Sequence, residues 1–135
     1  MQRYWTKLAE YHRGGYDLVL DKTWEDCALS DVFDDNTDPQ TGEPYNDVQK
    51  WAEQIDKGEL DWFMLRCRVF VNGLEMADAC IGGLLYEDAK QVLEDGIAED
   101  LIADATYEAI QRTHDMARKL TMLSLKHSEV DHLTV

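Results

Sequence analysis

Residues 60–87 read LDWFMLRCRVFVNGLEMADACIGGLLYE, two runs rich in strand-forming residues joined at Asn72-Gly73. A two-residue type I′ turn needs positive φ at both central positions, and Asn-Gly adopts them at little cost. The stretch therefore predicts a β-hairpin. With a two-residue turn, Val71 pairs with Leu74, Val69 with Met76 and Leu65 with Cys80, building one apolar face from cross-strand neighbours. The opposite face mixes Arg66, Arg68 and Glu75 with Met64, Phe70 and Ile81, so it is either partly covered by another element or used for binding. Gly82-Gly83 marks a bulge or the end of regular pairing.

Upstream of the hairpin, the spacing of Trp5, Leu8, Ala9 and His12 predicts a helix over 3–13 that stops at Gly14-Gly15. Tyr16 to Leu20, framed by those glycines and Asp21, reads as an edge strand. Thr23 with Asp26 resembles a capping box, which would start a helix with Trp24, Cys27, Ala28 and Val32 toward the core. Residues 34–47, DDNTDPQTGEPYND, hold both prolines and no apolar period, so they form a surface loop. Asn46 or Asp47 then caps a helix that aligns Val48, Trp51, Ala52 and Ile55 and stops at Gly58.

Downstream, a short helix is expected over 88–95, with a stop at Gly96. A long helix follows, with Ala98, Leu101, Ile102, Ala105, Ala109, Thr113, Met116, Ala117 and Leu120 on one side, and that stripe is expected to pack on the sheet. The expected fold is α+β: a small antiparallel sheet centred on the 62–86 hairpin, packed on one face by helices including a long C-terminal helix. One domain spans 1–126, and from 127 to 135 the pattern fades into a frayed tail.

The chain has 135 residues, 44% of them hydrophobic, which is enough apolar material to offset the ordering entropy of one core. No apolar run approaches the ~18 residues of a membrane span, and MQRYWTKLAEYH lacks a cationic stub followed by an apolar stretch, so a cytoplasmic location is expected. Cys27, Cys67 and Cys80 are odd in number and form no CxxC pair, which suits buried, inert thiols in a reducing compartment.

The net charge is −15, and it is unevenly placed. Residues 21–61 carry thirteen acidic side chains against three Lys, and residues 87–108 carry eight against one. This distribution argues against direct nucleic-acid binding, which relies on cations at phosphates, and against anionic membranes. A basic partner is expected instead.

Asp34, Asn36 and Asp38 alternate like the first calcium ligands of an EF-hand loop, but Pro39 stands where glycine is needed and Tyr45 where a bidentate Glu belongs. His127 and His132 flank Glu129 and Asp131 on the tail without completing a zinc set. His114 falls at the edge of the apolar stripe, where a hydrogen-bonded boundary residue is expected. There is no nucleophile elbow and no phosphate-cradling glycine motif. The chain is therefore expected to be no enzyme, with no catalytic residue, metal or cofactor.

What remains is the acidic surface. Asp100, Asp104 and Glu108 are four residues apart, a row of charges ~6 Å apart along a helix, with Asp95 and Glu99 extending it toward the helix start. Asp31, Asp34, Asp35 and Asp38 form a second group beside the loop. Small size, acidity, aromatic content and the lack of a catalytic motif resemble the inhibitor proteins that phages and mobile elements direct against host restriction or CRISPR nucleases. That resemblance implies a protein that occupies a basic, nucleic-acid-binding surface of a host protein, and it assigns no residue a role. The expected alternative is an adaptor that binds through Trp62, Phe70 and Tyr86 on the hairpin, or a small hydrolase built on hidden carboxylates.

Overall fold

A computed structural model describes residues 3–133, with side-chain surroundings through Lys126. β1 (Thr6–Arg13) and β2 (Tyr16–Trp24) form one hairpin. α1 (Leu29–Val32) and α2 (Val48–Asp56) follow in an excursion from the sheet. β3 (Asp61–Val71) and β4 (Leu74–Tyr86) form the second hairpin, and a 3-10 turn (Ala89–Leu93) leads into α3 (Ile97–Leu133). The four strands make a single antiparallel sheet in the order β1-β2-β3-β4, on which α3 packs over β3 and β4, so the expected α+β class holds. The expected tail, 127–135, has its side chains outside the described set, although the helical backbone continues to Leu133.

The second hairpin forms at the expected turn, with φ of 50° at Asn72 and 80° at Gly73. Its register departs from the expected one after two pairs. Val71 faces Leu74, but Val69 faces Ala77 and Leu65 faces Ile81, because β4 inserts an extra residue near Met76. The bulge turns both Met76 and Ala77 toward buried positions. A second irregularity falls at Gly82-Gly83, where the sequence places one, with Gly83 at φ 70°.

The N-terminal segment corrects a helix to a strand. Residues 6–13 are β1, and Gly14 and Gly15, both at positive φ, make the hairpin turn that lets Arg13 face Tyr16. An irregularity between Lys7 and Ala9 breaks the two-residue alternation, which is why Trp5, Leu8, Ala9 and His12 mimic helical spacing. With β1 outside it, β2 is an interior strand and not an edge. β2 also runs four residues beyond Leu20, so Thr23 is a buried strand residue, not a helix cap. The short α1 begins only at Leu29, and its Asp31 carboxylate accepts from the Ala28 amide. Trp24, expected to face the core, is exposed.

The core lies between α3 and the inner face of the sheet. Leu18, Leu20, Phe63, Leu65, Cys67 and Val69 supply the sheet side, and Ala98, Leu101, Ile102, Ala105 and Ala109 the helix side. Alanine on both α3 and β4 lets the helix axis approach the strands closely. The rest of the expected stripe does not reach the sheet: Thr113 is half-buried, while Met116, Ala117 and Leu120 are exposed. The 88–95 helix is a 3-10 turn capped by Asp88, whose carboxylate accepts from the Lys90 amide. α2 forms as expected, capped by Asp47, and Trp51 stacks edge-on against Phe33 at 5.1 Å.

Gly82 and Gly83 join the excursion to the sheet. The Glu25 carboxylate accepts from the Gly83 amide at 2.7 Å and from the Cys27 amide at 3.3 Å. Burial pulls its pKa upward, but these amide donors and the nearby Arg3 charge outweigh it and hold the group below the usual carboxylate value. A methyl group at Gly82 would collide with that carboxylate. Gly82→Ala is therefore expected to displace Glu25 and cost about 1 to 2 kcal/mol in denaturant unfolding, the cost of stranding a partly buried amide. Equal stability in the variant would show that Glu25 does not tie the excursion down.

Candidate functional site

Two acidic groups and one mixed sheet face are the surfaces to weigh. In α3 the inner side is committed to the core, so Asp100 and Asp104, like Glu99, are exposed. Among the described residues neither Asp100 nor Asp104 enters an ion pair, while Glu108 pairs with Arg112 one turn on at 2.7 Å. The row expected from the sequence is thus present and partly unpaired.

Its extension toward the helix start is already engaged. Both Glu99 oxygens accept from the Arg13 guanidinium, at 3.0 and 3.2 Å. That hydrogen bond lowers the Glu99 pKa and raises that of Arg13. Asp95 accepts from the Ile97 amide and from the Tyr86 hydroxyl, which fixes the start of α3 to the end of β4.

In the excursion, Asp31, Asp34 and Asp38 each accept from a nearby backbone amide, namely those of Ala28, Asn36 and Gln40. These carboxylates order local turns and keep their charge at the surface. The loop closes on itself through a bridge between Thr37 and Pro44. α1 and α2 pack on each other, whereas α3 packs on β3, β4 and the 3-10 turn. The two acidic groups therefore ride on separate parts of the fold.

The three aromatic residues of the adaptor reading do not share a surface. Trp62 is buried beside Phe33, and its indole N–H donates to the Cys27 carbonyl at 2.9 Å. Tyr86 packs near Phe63 at the other side of the strand, which leaves Phe70 alone on the mixed face. There a cluster appears that the sequence reading did not assemble. Asp21 is only 3% exposed, yet its carboxylate faces the side of the sheet that α3 leaves open. Arg66 holds it through two hydrogen bonds, at 2.9 and 2.8 Å, and Arg68 adds a third at 3.1 Å. The Trp5 ring covers Arg66, with the guanidinium carbon 3.8 Å from the ring centre.

A helix over 3–13 and a strand ending at Leu20 leave Trp5 and Asp21 apart, so the sequence pattern alone does not assemble the cluster. The signal was available: alternation in β3 puts Arg66 and Arg68 on one face, and two cations there call for a carboxylate on the neighbouring strand. The thiols differ from one another. Cys67 is buried, and burial first, then the Asp21 charge, pushes it up to about 11. Cys27 is half-buried and Cys80 exposed, which corrects the expectation that all three are buried, although burial raises their pKa values too. Among the described residues no cluster of three or more metal-ligating side chains occurs, and no helix is long and apolar enough to cross a membrane. Compared with known family models, characterised proteins and solved structures, the chain matches none of them.

Removing Asp21 leaves two guanidiniums facing each other with no anion between them. Asp21→Ala is expected to destabilise the fold by about 3 kcal/mol or more in urea unfolding, whereas an exposed aspartate such as Asp35 should cost nearly nothing. The Tyr86 phenol is pushed up to about 12 by burial first and by the Asp95 carboxylate next. Its folded pKa lies above its unfolded value near 10, so its contribution to stability is complete below pH ~10 and is lost as pH rises toward ~12. Ultraviolet titration should show a late phenolate transition that Tyr86→Phe abolishes; a titration unchanged by that substitution would remove the assignment.

Proposed function

We propose that this chain is a non-enzymatic binding protein that sets its acidic α3 surface against a basic, nucleic-acid-binding surface of a partner protein, as antirestriction and anti-CRISPR inhibitors do by charge mimicry. The observation that supports this most is the pair Asp100 and Asp104, exposed on a helix anchored at its other side and free of ion pairs among the described residues. A charge on a fixed helix loses little entropy when a partner cation meets it. Tyr107, exposed between them and Glu108, adds an apolar contact of the kind that gives interfaces specificity.

A duplex carries one charge per ~1.7 Å of axis, so a single row at ~6 Å cannot imitate it alone. The excursion, with Asp31, Asp34, Asp35 and Asp38, packs on the side of the sheet opposite α3, so in this reading it meets a different part of the partner's surface from the α3 row. The displaced carboxylates are poor candidates for acid catalysis. Glu10, Glu25 and Glu99 all move downward, which favours the anion and not a proton donor.

The test is retention of host proteins on the immobilised chain at low and high salt, repeated with Asp100→Lys, Asp104→Lys and Glu108→Lys combined. A nucleic-acid-binding partner held at low salt should be lost from the triple variant, while circular dichroism and melting temperature stay unchanged. Equal retention by the variant would end this reading, and salt-resistant retention would point to the open sheet face around Phe70 and Arg68.

A further inference from the structure

α3 packs mainly over β3 and β4, and a groove is left between it and the β1–β2 hairpin. Leu18 and Ile102, both buried, form its floor, and Ala103, Thr106, Tyr107 and Ile110 form its wall on α3. Arg13 and Glu99 close one end through their ion pair. Thr106 and Ile110 are half-buried, Ala103 is exposed, and the Tyr107 ring stands 67% exposed at the rim. The groove holds about 320 Å³, at the lower limit of the ~300–1,000 Å³ of small-molecule sites. It is sized for side chains and not for a large cofactor.

The groove wall and the acidic row are neighbouring stripes of one helix. Asp100 stands one turn before Ala103 and two before Tyr107, and Asp104 stands one turn before Tyr107, so two carboxylates follow the groove's outer rim. Among the described residues neither enters an ion pair. Charge therefore selects the occupant, which must bring cations to the rim and an apolar side chain to the groove at once. An extended segment can do both. Its successive side chains point to opposite sides, and those two positions apart lie ~6.6 Å from each other, close to the ~6 Å between Asp100 and Asp104. We propose that the groove seats the apolar side chains of an extended basic segment of a protein partner, in which arginine or lysine alternates with aliphatic residues. Laid along α3 over Tyr107, the segment turns its cations to Asp100 and Asp104 and the residue between them into the groove. The groove's role rests on the charge complementarity proposed above and adds the partner's apolar anchor to it. A cationic segment without aliphatic residues would meet the rim and leave the groove to water.

NMR titration of the isotope-labelled full chain tests this, using a capped pentapeptide that alternates arginine with leucine and a second that carries serine for leucine. The leucine peptide should shift the amides of Ala103, Thr106, Tyr107 and Ile110 and bind about fivefold more tightly than the serine peptide. Tyr107→Ser and Ala103→Gln, both at exposed positions, should keep the fold and erase that advantage, the first by removing the ring at the rim and the second by filling the groove. Asp100→Lys with Asp104→Lys should weaken both peptides alike. Equal affinity for the two peptides, with binding still lost in the lysine variant, overturns the groove's role and leaves the charge reading standing. A leucine advantage that survives Tyr107→Ser and Ala103→Gln also overturns it. Failure of either peptide to bind at all overturns both.

Discussion

α3 supplies most of the apolar cover for the inner face of the sheet. From Ala98 to Ala109 one side of it is therefore committed to Leu18, Leu65, Cys67, Val69 and their neighbours. Because a helix has only one such side available at a time, the charged residues between these positions are forced outward. Asp100 and Asp104 are exposed for this reason, and they cannot turn inward without unpacking the core. The same constraint fixes Asp95, which holds the helix start, and Glu99, which ties it to Arg13. A surface whose geometry is inherited from a core is rigid, and rigidity is what makes a sparse row of charges useful for recognition.

The other side of the sheet solves a different problem. A single helix cannot cover both faces, so one end of the open face receives the α1–α2 excursion over Trp62, and the remainder carries charge. Burying Asp21 there is tolerable because three hydrogen bonds from two guanidiniums compensate its lost hydration, and Trp5 shields Arg66 from water. Such pairs add little net stability compared with an apolar core, but they penalise misregister severely. Sliding β2 by one residue against β3 would send Asp21 to the apolar face and leave both arginines without it. The cluster thus acts as a register lock beside the apolar pairing of Leu18 with Val69 and Leu20 with Cys67, which the same slide would also break.

Local chemistry made some of this architecture readable in the chain itself. Asn72-Gly73 announces its turn because few pairs accept two positive φ values, and the apolar stripe of α3 announces a helix because nine positions keep one period. The elements that were misread are those in which an irregularity counterfeits another period. The break near Leu8 gave a strand the spacing of a helix, and the extra residue near Met76 shifted every pair below it. Nothing in a one-residue pattern distinguishes such an insertion from regular structure; only pairing with a neighbouring strand does. The acidic row was legible for the same reason as the helix, while the Asp21 cluster joins residues about 45 positions apart and needed the sheet order first.

The two halves of α3 divide these roles physically. Its first half is acidic outside and apolar inside, so it can present charge only while the sheet holds it. Its second half has lost the sheet, keeps an apolar stripe at Met116, Leu120 and Leu123, and mixes Arg118, Lys119 and Lys126 with Asp115, Glu129 and Asp131. At physiological salt, charges further apart than ~8 Å are largely screened, so the overall −15 does not decide what approaches this end of the molecule. What decides it is the set of side chains within reach of that stripe, Arg112, Asp115, Lys119 and Lys126.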